Sequence, residues 1–214
     1  MKKQQFRYSD TLIIIFAREP VSGNVKTRLI PALGKEGATS LYKRLLDFSI
    51  KNVISSDLSM VNLCITPDSA KAYFYQMDCS ASFELSVQTG NDLGVRMYNA
   101  LAQALKHYSK AILIGTDCPF LSSDDLQQAI NALNTNDMVF SPAEDGGYVL
   151  VGAKQVSPEV FEDIDWGSDK VMTQTRKSLL KHNVSWQELS VQNDIDVKDD
   201  LKTLLLHDEF KDFF

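Results

Sequence analysis

The stretch "TLIIIFAREPVSGNVKTRL" (residues 11–29) joins an apolar run, 11–17, to a loop that carries Arg18, Lys26 and Arg28. The run reads as a buried strand. Three cations follow it directly, at the place where open α/β sheets bind ligands, outside the carboxyl ends of their strands. Lys and Arg complement a phosphate by charge, Arg also through its bidentate fork, and Gly23 and Asn24 let the backbone bend close to a ligand. The loop has neither the GxxxxGK[ST] spacing of a P-loop nor the GxGxxG of dinucleotide folds. Taken alone it is equally a solvated charged loop; its position after the first strand favours phosphate binding by Arg18, Lys26, Thr27 and Arg28.

Outward from this stretch, apolar runs alternate with helical patterns to the end of the chain, the signature of a mostly parallel sheet covered by helices. A helix is expected over 35–56, where Leu41, Leu45, Phe48 and Val53 follow a 3.6-residue period. Strands follow at 60–66, 83–89 and 111–115, with helices at 68–77 and 93–108 between them. After Pro119, "SSDDLQQAINAL" places Ser and Asp where a helix N-cap and first turn want them. The runs 137–143 and 148–153 form a hairpin or lie in different sheets; a helix at 168–182, a strand near 184–190 and a last helix from 197 complete the chain. The expected fold is a three-layer α/β sandwich. No repeat or linker divides residues 1–214, so a single domain is expected.

Composition limits the partners. With 214 residues, 44% hydrophobic, 23% charged and a formal charge of -6, the chain resembles an ordinary globular protein and is a poor match for a nucleic acid polymer. No apolar run approaches the roughly 18 residues of a membrane helix, and the first ten residues lack an apolar signal region, so a cytoplasmic location is expected. Three cysteines without CxxC spacing indicate neither a disulfide framework nor a zinc knuckle. Cys118 reads as a small side chain packed at a strand end, since no histidine motif accompanies it. Oligomeric state, including a homo-oligomer, is left open.

Four further clusters stand just after apolar runs. "IGTDCP" puts Asp117 at a strand end, where a carboxylate needs a cation or donors; it is either a metal ligand or a turn cap. "EDGGY" sets Glu144 and Asp145 before Gly146 and Gly147, which permit positive φ and close approach of a ligand but also suit a plain hairpin turn. "NDLGVR" combines Asp92, Gly94 and Arg96 at a helix N-terminus, an anion site or simply a capped helix with a surface arginine. Trp166, in "DWGSDKV", is a core or lid aromatic or a stacking platform on the acceptor side.

The ordered series "REPVSGNVKTRL", "NDLGVRM", "LIGTDCPFL", "SPAEDGGYVLVG", "FEDIDWGSDKVMTQT" and "NDIDVKDDL" resembles a small bacterial family of nucleotide-diphospho-sugar transferases with the glycosyltransferase-A, Rossmann-like fold. That family is also described as radical-SAM-associated transferases or arsenosugar-biosynthesis glycosyltransferases. More distantly the series is similar to 2-phospho-lactate guanylyltransferases and molybdenum-cofactor nucleotidyltransferases. The resemblance covers residues 11 to about 205. It implies that Arg18, Lys26 and Arg28 hold nucleotide phosphates, that Asp117 binds Mg²⁺ or Mn²⁺, and that Asp145 is the second carboxylate near the metal or acceptor, with Asp196 a rival. Cys118 stands where glycosyltransferases often carry the second Asp of a DxD motif, and the glycine-rich loop of nucleotidyltransferases is absent.

The reaction expected first is metal-dependent glycosyl transfer from a nucleoside-diphosphate sugar to a small-molecule acceptor. Lys26 and the metal would stabilise the departing diphosphate, and Asp145 would act as base. Nucleotidyl transfer with release of pyrophosphate is the alternative, and a nucleotide-binding regulator without turnover is a third.

Overall fold

The computed structural model describes residues 6–79 and 82–213. Its centre is a seven-stranded sheet built from β1 (Thr11–Arg18), β2 (Met60–Thr66), β3 (Glu84–Val87), β4 (Lys110–Ile114), β5 (Met138–Pro142), β6 (Tyr148–Ala153) and β7 (Trp186–Glu188). The order is β3-β2-β1-β4-β6-β5-β7, and β6 runs antiparallel to both its neighbours while every other pairing is parallel. The helices are α1 (Ile30–Ser55), α2 (Lys71–Tyr75), α3 (Leu93–Ala104), α4 (Ser123–Ala132), α5 (Val171–Lys181) and α6 (Asp200–Leu204).

Alternation along β1 explains the three layers. Ile13, Ile15 and Ala17 point to one face and pack with α1, α2 and α4 through Leu46, Ile50, Phe74 and Ile130. Leu12 and Ile14 point to the other and pack with Met97 and Leu101 of α3 and Met172 and Leu179 of α5. Because side chains alternate with a period of two, a strand covered on both faces must be apolar throughout, which is why "TLIIIFA" carries no outward polar set. A third cluster forms on the outer side of α1, where Leu41 and Leu45 meet Ile195, Leu204 and Phe210 from the C-terminal segment.

The two runs at 137–143 and 148–153 pair as a hairpin, and β6 inserts between β5 and β4. Most other boundaries differ by a few residues. The first long helix begins at Ile30, but Gly34 (φ 71°) interrupts it, so the continuous part begins near the expected start. The strand expected near 184–190 shortens to Trp186–Glu188, and α3 ends at Ala104. The last helix begins at Asp200 because the Asp200 carboxylate accepts from the amides of Asp196 and Val197 and turns the chain first. At α4, Ser122 and Asp125 form a reciprocal capping box.

Gly152, in the middle of β6, gives a test of the central packing. A Cβ there would lie 2.6 Å from Ile112 Cδ1 and 2.7 Å from Val139 Cγ1, so β4, β5 and β6 close over a position with no side chain. Gly152→Ala is expected to cost about 1–3 kcal/mol through overpacking. Urea unfolding that gave an unchanged midpoint would contradict this account of the sheet.

Candidate active site

The loop after β1 doubles back and enters the short 3-10 turn Thr27–Leu29 through Lys26, which adopts the left-handed conformation (φ 47°, ψ 44°). That conformation costs an L-residue roughly 1–2 kcal/mol. It turns the lysine inward: the side chain is 3% exposed, its Nζ lies 2.8 Å from Asp117 Oδ1, and it donates to the carbonyl of Ile195. Asp196 Oδ1 is 3.9 Å away, and Asp196 Oδ2 pairs with Arg28 Nη1 at 2.6 Å. The amide of Ile195 donates to the carbonyl of Asp117 at 2.9 Å. One ammonium therefore ties together the loops after β1, β4 and β7.

These loops wall a cavity of about 620 Å³ whose lining includes Arg18, Lys26, Arg28, Arg96, Asp117 and Asp194. It lies at the carboxyl ends of β1 and β4, where strand order in the sheet reverses direction from β1 outward, the usual ligand crevice of open α/β sheets. Asp117 is 47% exposed at its side chain, so Lys26 covers only part of the carboxylate. Asp194 is held up to about 6 by burial first, then by the charges of Asp145 and Asp117, with its own backbone amide and Lys26 opposing. Carboxylates crowded in this way suit a divalent cation.

The donor set fits Mg²⁺ or Mn²⁺ in kind. Asp117 and Asp194 offer hard oxygens, and these ions often take only one or two protein carboxylates beside substrate phosphates. Among the described residues no three His, Cys, Asp or Glu side chains group into a complete cage. Asp194 was not singled out in the sequence, although "NDIDVKDDL" carries it two positions before Asp196. Tyr42 was missed as well. Its hydroxyl accepts from the Arg18 amide at 2.8 Å and donates to the Arg18 carbonyl at 3.0 Å, and burial, reinforced by Asp117, pushes its pKa up to about 12.

The remaining candidates fall into two groups. Arg18, Thr27 and Arg28 are exposed on the cavity rim, and Arg96 lines the wall while its Nε donates to the Gly90 carbonyl at 3.0 Å. Asp92 caps α3 by accepting from the Val95 amide at 2.9 Å. Gly94, Gly146, Gly147, Asp145 and Trp166 stand outside the lining. Trp166 packs on Gly94, where a Cβ would come within 2.7 Å of its ring, and Gly146 (φ 90°) passes so close to Asp169 that a Cβ would lie 2.2 Å from its carbonyl oxygen. Asp145 is exposed on the β5–β6 turn and accepts from the Gly147 amide at 2.8 Å. Cys118 is buried and its thiol is pushed up to about 12 by that burial, which leaves almost no thiolate at neutral pH.

Two substitutions probe this arrangement. Asp194→Asn removes one of the crowded charges, so Tm without ligand should rise by about 2–4 °C, the shift that about 1 kcal/mol produces in a chain of this size. A lowered Tm would show that Asp194 is held by donors and is not crowded. Lys26→Met leaves the Ile195 carbonyl without its donor and Asp117 without its ion-pair partner and should cost about 1–3 kcal/mol in denaturant unfolding. An unaltered unfolding midpoint would mean the three loops hold together without the ammonium.

Similar proteins place this geometry in context. Over 200 residues the chain is 24% identical to a 2-phospho-L-lactate guanylyltransferase of Methanocaldococcus vulcanius, covering 92% of this chain and 86% of that protein. Among solved structures, a protein of Desulfovibrio desulfuricans G20 provisionally named a nucleotide-diphospho-sugar transferase is 28% identical with a TM-score of 0.83, covering 95% of this chain and 91% of its own. Rv0371c of Mycobacterium tuberculosis H37Rv, solved in complex with manganese, shares the fold at 18% identity and a TM-score of 0.53, covering 92% and 99% of the two chains. The seven-stranded, mostly parallel sheet is thus that of the nucleotidyl and nucleotide-sugar transferase folds. Residues 49–168 match the family model described as "Uncharacterized protein conserved in bacteria (DUF2064)", and the chain belongs to that family.

Proposed function

We propose that this protein is a nucleotidyltransferase, which joins the nucleotidyl group of a nucleoside triphosphate to a substrate phosphate and releases pyrophosphate. The observation that carries the reading is the buried Lys26 paired to Asp117 beside Asp194, in a cavity rimmed by Arg18 and Arg28. An oxygen of the substrate phosphate attacks the α-phosphorus, and the bond from that phosphorus to the bridging oxygen of the β-phosphate breaks. Arg18 and Arg28 would bind the triphosphate, and Lys26 places positive charge where pyrophosphate leaves. Mg²⁺ or Mn²⁺ held by Asp117 and Asp194 would supply Lewis-acid charge to the phosphates. The attacking phosphate is already ionised at neutral pH, so no protein base is required. Similarity to a guanylyltransferase along most of both chains supports this choice.

Glycosyl transfer is retained as a second reading because Asp145 sits close enough to Asp194 to raise its pKa. An exposed carboxylate near Asp194 could take the proton of an acceptor hydroxyl. The similarity to the Desulfovibrio protein supports it as well.

Product analysis separates the two. Incubation with Mn²⁺, nucleoside triphosphates and a panel of small phosphomonoesters should release pyrophosphate; nucleoside diphosphate released from nucleotide sugars with hydroxyl acceptors would establish glycosyl transfer in its place. Binding of nucleotides without either product would make the protein a regulator. Asp117→Asn should lower turnover at least 100-fold by either route, since it removes both a metal oxygen's charge and the partner of Lys26.

A further inference from the structure

Strand β1 outruns its neighbour β4. Its pairing with β4 covers Thr11 to Ile15, whereas its pairing with β2 continues to Arg18. Phe16, Ala17 and Arg18 therefore have a strand on one side only, and all three line the cavity together with Gly115 and Thr116, which follow β4. Backbone groups alternate between the two edges of a strand. Since the amide of Glu19 donates to the Thr66 carbonyl of β2 at 3.0 Å, those of Arg18 face the notch on the β4 side. Among the described residues no strand pairs with them there. Tyr42 of α1 takes that place: its hydroxyl accepts from the Arg18 amide at 2.8 Å and donates to the Arg18 carbonyl at 3.0 Å. Tyr42 is 5% exposed and lines the cavity.

The same helix braces the loop after β4. Ser49, seven residues beyond Tyr42 and so on the same helix face, donates to the Thr116 carbonyl at 3.3 Å, and Asn52 donates to the Leu121 carbonyl at 2.9 Å. Arg18 and the residue before Asp117 are thus held from one helix. A longer β4 would satisfy the same two groups of Arg18, but it would fill the notch with backbone. A side chain from the helix layer satisfies them and leaves the crevice open. The guanidinium of Arg18 continues the arrangement, since its Nη1 lies 3.5 Å from the carbonyl of Asn24 in the loop that leads to Lys26.

We propose that Tyr42 is a positioning residue of the site: its hydroxyl replaces the missing β4 partner, fixes Arg18 at the end of β1, and so sets where the rim meets a polyphosphate. This rests on the nucleotide reading of the cavity. Tyr42 takes no part in the chemistry and acts through Arg18. A cation that binds phosphate through directed hydrogen bonds is only as well placed as the backbone that carries it.

Calorimetry with Mn²⁺ and inorganic tripolyphosphate on the wild type, Tyr42→Phe, Arg18→Ala and the double variant tests this, with Tm measured for each. Tyr42→Phe leaves both Arg18 groups unpaired, so Tm should fall by about 4–8 °C, the effect of about two hydrogen bonds in a chain of this size. Well below that Tm, the variant should bind tripolyphosphate about 5- to 10-fold more weakly, and Arg18→Ala should bind it at least about 10-fold more weakly. The double variant should match Arg18→Ala, because a residue that acts through another adds nothing once that other is gone. A Tyr42→Phe protein that is less stable yet binds as the wild type does overturns the proposal, as does equal weakening with and without Arg18. A Tyr42→Phe chain that does not fold also overturns it, since the hydroxyl would then serve the fold as a whole, and so does an Arg18→Ala protein that binds as tightly as the wild type. Each of these results leaves the nucleotide reading intact. If the wild type binds no tripolyphosphate, the cavity holds no polyphosphate and that reading falls with the proposal.

Discussion

The contact on which the site depends is the ion pair between Lys26 and Asp117. Its two partners differ sharply in exposure: the lysine side chain is 3% exposed and the aspartate 47%. Burying an ammonium costs several kcal/mol, which one partially solvated carboxylate does not fully return. The carbonyl of Ile195 and the more distant Asp196 supply the rest of its surroundings. Such an arrangement is a weak source of stability and a strong source of order. It sets the chain direction after β1, fixes the C-terminal segment against β4, and leaves part of Asp117 facing the cavity. The left-handed backbone at Lys26 belongs to the same arrangement, because it directs the side chain to that one point.

The scaffold explains why these loops meet. In a sheet ordered β3-β2-β1-β4-β6-β5-β7, β1 and β4 are adjacent and parallel, so their following loops leave the same edge side by side. The segment after β7 reaches them by continuing parallel to β5: Ala143 pairs with Gln192, and two residues later Asp194 is at the cavity. The outer cluster of α1 with Ile195, Leu204 and Phe210 then anchors that segment from behind. A carboxylate from the end of the chain is thereby placed opposite one from its middle.

Much of this was legible in the sequence. Strand and helix alternation, the apolar β1 and the cations after it led to the sheet and to the loops that wall the cavity. What periodicity could not show was which charges neutralise one another. Lys26 reads as a phosphate ligand in a linear text, and only folding reveals it already engaged with Asp117. Asp194 and Asp196 are two residues apart in a run of acidic residues, and nothing local distinguishes the one beside Asp117 from the one that pairs with Arg28. Asp145 stood out as a carboxylate and Gly146 and Gly147 for their conformational freedom, and that freedom lets Gly146 pass close to Asp169.

The crowding at Asp194 links the fold to the chemistry of the cavity. A half-buried carboxylate facing two others is a local conflict, and natural sequences hold such conflicts mainly where a ligand resolves them. Lys26 relieves Asp117 and Arg28 relieves Asp196, but the ammonium opposes the rise at Asp194 without cancelling it. A divalent cation placed between Asp194 and a polyphosphate would lower the repulsion at the carboxylate, while the cations Arg18 and Arg28 on the rim face the rest of the phosphate charge. On the nucleotidyltransferase reading proposed above, the charge left on Asp194 in the folded chain would belong to its recognition chemistry, a place where a divalent cation bound with a nucleotide relieves the crowding.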